Sequence, residues 1–67
     1  MNSIFDVRQL LKTYGTYIYL GDRLADLELM EEEVRELYQS NMIDIKQFQK
    51  AILLLRQEMA KESKKLN

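Results

Sequence analysis

Between positions 8 and 23 the sequence interleaves three cations, Arg8, Lys12 and Arg23, with three tyrosines, Tyr14, Tyr17 and Tyr19, and only Asp22 interrupts the set with a carboxylate. Aromatic faces stack nucleobases while cations meet phosphates. Each stacked base is worth about 1–3 kcal/mol, so this pairing has the chemistry that holds single-stranded RNA or DNA. No RNP-type motif accompanies it. The stretch alone therefore does not separate such a surface from tyrosines half-buried at a core rim with their hydroxyls in water. The rim account serves Tyr14 and Tyr38 without any ligand.

Catalysis fits less well. The chain has neither cysteine nor histidine, which removes the thiol and imidazole from which most catalytic constellations are built. Carboxylates are the remaining plentiful acids. Glu28, Glu32 and Glu36 stand at i, i+4 and i+8, on one helical face, and hard metal ions take carboxylate oxygens. Carboxylate-bridged metal bundles, however, need such groups to converge inward from several helices. Here the acids crowd onto one, and a charge-rich helical face usually just meets water. Glu31 and Arg35, at i, i+4 on the same segment, read as a surface pair worth about 0.2–0.5 kcal/mol. No enzymatic activity, metal or cofactor is expected.

Lys46, Lys50, Lys61 and Lys64 share the solvent side of the last predicted helix. A phosphate-tracking stripe is one account of them. Solubility is the other, with Lys61, Lys64 and Lys65 also favoured near a helix C-terminus by the macrodipole.

The elements that must position these groups are helical. Ser3 and Asp6 open a first helix over about residues 4–14, in which Val7, Leu10, Leu11 and Tyr14 recur at helical spacing until Gly15, a residue suited to the left-handed position past a helix end. Residues 15–21 connect. Tyr17, Ile18, Tyr19 and Leu20 are β-prone and break the helical stripe, yet the chain offers them no partner strand. An extended path would alternate side chains, with Ile18 and Leu20 anchoring the core and Tyr17 and Tyr19 facing outward.

Asp22 is placed to cap a second helix over about 22–40, whose seam is Leu27, Met30, Val34 and Leu37, broadened by Tyr38. Ser40 and Asn41 end it, with Asn41 able to turn left-handed. Asp44 with Gln47 three residues on forms a capping-box variant opening a third helix over about 44–64, with a seam of Ile45, Phe48, Ile52, Leu55 and Met59. So short a turn makes the second and third helices an antiparallel hairpin. The first helix lies across its open side, giving an all-α three-helix bundle. Leu29, Leu53 and Leu54 fall off both seams. They either meet the first helix or remain exposed as a subunit interface.

The 67 residues form one domain of a size that buries only about 60% of its unfolded surface. Such a core needs a staple, and without cysteine or histidine the option left is self-association. The net charge of −1 gives no overall electrostatic footprint for nucleic acid. Its distribution is uneven: seven carboxylates face Arg23 and Arg35 between residues 21 and 41, whereas basic residues predominate on either side. No basic segment followed by an apolar stretch opens the chain, and the longest aliphatic run, Ala51 to Leu55, is too short to span a bilayer. A cytoplasmic protein without a membrane partner is expected.

The run Phe5-Asp6-Val7-Arg8-Gln9-Leu10-Leu11-Lys12-Thr13-Tyr14-Gly15, followed by Ile18-Tyr19, Gly21-Asp22-Arg23, Leu37-Tyr38 and Met42-Ile43, resembles the YqgQ-like family of small Gram-positive bacterial proteins. The likeness extends to about Met59, and its first block is its most specific part. It implies a three-helix fold, a cytoplasmic location, no enzymatic activity and a role in binding single-stranded nucleic acid. Asn41 stands where that family leads one to expect glycine. Of the matching positions, Arg8, Lys12, Tyr14, Tyr19 and Arg23 carry usable chemistry, and Tyr17 joins them on the residue reading. Two partner classes remain open: single-stranded RNA or DNA on this stretch, or a protein partner or second copy of the chain on Leu29, Leu53, Leu54 and the acidic second helix.

Overall fold

A computed structural model describes residues 1–65, with only the backbone of Lys65. It contains helices α1 (Ile4–Thr13), α2 (Arg23–Gln39) and α3 (Ile45–Lys65), and no strand among the described residues. The all-α bundle expected from the sequence is the observed architecture. Helices α2 and α3 make the most extensive contact and α1 packs against both. Tyr38 meets Phe48, Glu31 meets Arg56, and Arg23 meets Glu58 and Glu62, so positions rise along α3 as they fall along α2. That order is the register of an antiparallel hairpin.

The helix ends follow from local chemistry. Gly15 takes φ +83°, its N–H reaches the Lys12 carbonyl, and the Thr16 N–H reaches the Leu11 carbonyl, both at 2.9 Å. The same pair of bonds closes α2, with Asn41 at φ +61°, its N–H on the Tyr38 carbonyl and the Met42 N–H on the Leu37 carbonyl. Both are Schellman closures, which satisfy carbonyls that the helix itself leaves free. Asn41 thus adopts the geometry glycine would supply, because its short polar side chain tolerates the left-handed region. At the start of α3 the Gln47 N–H donates to Asp44 Oδ1 at 2.7 Å, and the Asp44 N–H donates to Gln47 Oε1 at 3.1 Å, a reciprocal capping box. Asp22 and Ser3 both hold extended cap positions, but neither side chain makes a capping bond. At α1 the Asp6 carboxylate instead accepts the Asn2 N–H at 2.8 Å.

The core consists of Val7 and Leu11 from α1, Leu27, Met30 and Val34 from α2, Ala51, Leu54 and Leu55 from α3, and Ile43 from the turn. This arrangement corrects the expected α3 seam in two places. Ile45, the first residue of the helix, is exposed, while Ala51 is completely buried. Leu54 is buried as well and belongs to the core, not to an interface. Leu29 is half-buried and Leu53 exposed. Glu28, Glu32 and Glu36 are all exposed on the solvent face of α2. No described helix is long and apolar enough to cross a membrane.

Candidate functional site

The segment between α1 and α2 has no regular structure, so its shape depends on bonds made to it by the helices. Arg8, one turn before the end of α1, donates from Nη1 to the Ile18 carbonyl at 3.1 Å. Asp26, in the first turn of α2, accepts the Leu20 N–H on Oδ1 at 2.7 Å. The two side chains stand 3.9 Å apart, Arg8 Nη2 to Asp26 Oδ2. A cation and an anion from different helices thus grip one carbonyl and one amide of a short extended stretch. Each backbone bond has a charged partner and belongs to the stronger class.

Ile18 packs onto the core from this stretch, as its alternation with the tyrosines requires. Leu20 does not: it is 60% exposed, a correction to its expected role as second anchor. Its backbone amide is the anchor instead, held by Asp26, and Gly21 at φ +82° then turns the chain into α2. Tyr17 and Tyr19 face outward, 75% and 87% exposed.

Between these tyrosines and α1 lies an open pocket of about 340 Å³, lined by Arg8, Lys12, Thr16, Tyr17 and Tyr19 above Leu11, Ile18 and Met30. A smaller neighbouring recess touches Arg8, Tyr19 and Arg23. Five of the six residues singled out from the sequence therefore lie around one surface. Tyr14 lies apart, and its hydroxyl donates to the Met42 carbonyl at 2.8 Å, bracing the α2–α3 turn against the end of α1.

The cations differ in what they already hold. Arg8 is tied to Ile18 and Asp26. Arg23 spans to α3, 3.1 Å from Glu58 and 3.4 Å from Glu62. Lys12 is exposed and makes no ion pair among the described residues. Elsewhere Glu31 receives both Arg35 and Arg56, at 3.0 and 2.6 Å. The Arg56 hydrogen bond chiefly holds the Glu31 carboxyl below its ordinary range, against the opposing effect of burial and with help from Arg35. Glu58 is lowered likewise, first by Lys61 and then by Arg23.

Asp26 was not among the residues singled out. It is 4% exposed, the one buried charged group among the described residues. The signal for it was present, since a carboxylate directly before Leu27 and four residues before Met30 falls on the apolar stripe of α2. Buried charge is expensive unless paired and hydrogen-bonded, so an acid at such a position implies a partner.

The architecture is that of a small all-helical protein carrying two outward tyrosines on a clamped linker beside a lysine, Lys12, that has no ion pair among the described residues. The YqgQ-like family pattern matches residues 1–61. A Bacillus subtilis (strain 168) protein, described as uncharacterized protein YqgQ, is 46% identical over 59 residues, covering 88% of this chain and 83% of that protein. The chain belongs to the YqgQ-like family.

Proposed function

We propose that this chain is a non-catalytic cytoplasmic binding module whose ligand is single-stranded nucleic acid, held on the face formed by Tyr17, Tyr19 and Lys12. One observation carries the reading: two tyrosines, 75% and 87% exposed, border one pocket with Lys12 on a segment clamped at the Ile18 carbonyl and the Leu20 amide. Leaving two aromatic rings in water on a fixed backbone gains the fold little, since exposed side chains contribute no burial. The same rings, carried on a backbone already held in place, stack on unpaired bases without that backbone having to be ordered first. A duplex hides its base faces and cannot use them. Arg8 holds the segment at the Ile18 carbonyl, Arg23 flanks the site while paired to Glu58, and Tyr14 braces the α2–α3 turn. The competing reading, a protein partner on the off-seam leucines, has less to rest on because Leu54 is buried.

Fluorescence anisotropy with labelled single strands and duplexes in low salt tests the proposal. Single strands should bind weakly, with little sequence preference and better than duplex. Tyr19→Ala should weaken binding by about 1–3 kcal/mol. No single-strand binding up to millimolar protein, or equal binding of duplex, would overturn it.

A further inference from the structure

We infer that the strand does not end at the tyrosine pocket but crosses α1 into a second groove, where Lys46 and Lys50 of α3 hold its phosphates. This rests on the single-strand reading above and concerns the path and its charge. The fold leaves some cations available and engages others. Arg8, Arg23, Arg35, Arg56 and Lys61 all have carboxylate partners. Lys12, Lys46, Lys50 and Lys64 have no ion pair among the described residues. Three of these four border grooves on the two flanks of α1.

The second groove, about 650 Å³, runs between α1 and the start of α3, with Gln9, Leu10 and Thr13 on one wall and Lys46, Gln47 and Lys50 on the other. Lys12 lines the tyrosine pocket and Thr13, the next residue, lines this groove. The last turn of α1 is therefore the ridge between them. A helix is about 10–12 Å across with its side chains, so a strand spans that ridge in a few nucleotides. Lys46 and Lys50 are one turn apart, about 5–6 Å at Cβ, and face successive phosphates of an extended strand.

Two features shape the groove's use. Asp6 shares it, its carboxylate accepting the Asn2 N–H at 2.8 Å, so phosphates are drawn to the α3 wall. The side chain of Gln47 is held by the Asp44 N–H, which fixes the wall between the lysines. The cation set thus becomes Lys12, Lys46 and Lys50, whereas Arg8 and Arg23 hold the fold together.

The test is a salt titration of a single-stranded 12-mer against the full chain and the variants Lys46→Gln/Lys50→Gln and Lys64→Gln. Each single-strand phosphate contact adds roughly 0.7 to the log–log salt slope. Three contacts make affinity fall roughly twentyfold between 50 and 200 mM salt, and one contact roughly threefold. The unaltered chain and Lys64→Gln should show the steep dependence and the double variant the shallow one. A tetranucleotide, long enough for the tyrosine pocket alone, should bind the double variant and the unaltered chain equally. If the double variant keeps the steep dependence while Tyr19→Ala still weakens binding, the second groove is excluded and the stacking reading survives. If Lys64→Gln flattens the dependence as much as the double variant, the effect is diffuse charge and the path is overturned. If no single strand binds the unaltered chain, both readings fall together.

Discussion

Asp26 Oδ1 accepts the Leu20 N–H at 2.7 Å, and this bond joins the first turn of α2 to the segment that carries Tyr17 and Tyr19. The carboxylate is 4% exposed and has Arg8 3.9 Å away, so a buried charge, its counter-ion and a backbone amide form one unit. That unit holds the backbone from which the two tyrosine rings project into solvent.

Asp26→Ala leaves the Leu20 amide without its acceptor and Arg8 without its counter-ion, though still bonded to the Ile18 carbonyl. A hydrogen bond to a charged group is worth about 1.5–3 kcal/mol, and urea denaturation should show a loss of that size. Amide exchange at Leu20 should quicken as well. Unchanged stability together with unchanged exchange at Leu20 would show that the segment is held by something else.

Packing at the hairpin gives a ranked pair of outcomes. Leu55 is fully buried, and Leu55→Ala should cost about 2–5 kcal/mol, comparable with the whole margin of so small a protein. Phe48 is only half-buried, stacked on Tyr38 with centroids 4.4 Å apart and with Arg35 6.0 Å from its ring centre. Phe48→Ala should therefore cost less, about 1.5–3 kcal/mol, made up of partial burial and the ring contact. Melting curves that place Phe48→Ala below Leu55→Ala in stability would contradict this burial order.

Acid sensitivity follows from Glu31 and Glu58, both held below the ordinary carboxyl range by cationic partners. A folded-state pKa below the unfolded value, about 4.3 for Glu, means the stabilisation is complete above that value and is lost as pH falls through the folded one. The melting temperature should hold from pH 7 to about pH 5 and decline between about pH 5 and pH 3. Glu31→Gln should lower it modestly at pH 7 and make the acid decline shallower. An acid limb of the same steepness in Glu31→Gln would mean that this cluster is not linked to folding.

At the α2–α3 turn, Asn41 at φ +61° separates two substitutions. Asn41→Ala places a Cβ in the left-handed region without a polar side chain to offset it and should cost about 1–2 kcal/mol. Asn41→Gly should be neutral or stabilising by up to about 1 kcal/mol, because glycine takes that conformation freely. Thermal melts of the two variants check the order, and an Asn41→Ala variant as stable as Asn41→Gly would rule out strain at this position.

Local signals carried much of the architecture. Gly15, Asn41 and the Asp44–Gln47 pair each act within a few residues, so their roles are readable from spacing alone, and each appears in the structure as a closure or cap. The buried stripes of α1 and α2 follow from helical periodicity in the same way. The α3 seam was less legible. A heptad begun at Ile45 has the right period but does not fix which side of the helix a third element will cover, and in the folded bundle Leu54 belongs to the core. Asp22 held its cap position without the capping bond, since position is local but side-chain partners are not.

The surface divides along the same line. From residue types and spacing alone, the sequence determined that Tyr17 and Tyr19 would lie on one outward side of an irregular segment, with Arg8, Lys12 and Arg23 nearby in the chain. Which of those cations remain available depended on contacts between residues far apart in sequence. Arg23 meets Glu58 and Glu62 only because the hairpin is antiparallel, and Arg8 turns to Ile18 and Asp26 only because α1 packs beside α2. Lys46 and Lys50 reach the flank of α1 for the same reason. Charge is a property of the residue, but its availability to a ligand is set by the neighbours that folding brings within a few ångströms, and those only the tertiary structure decides.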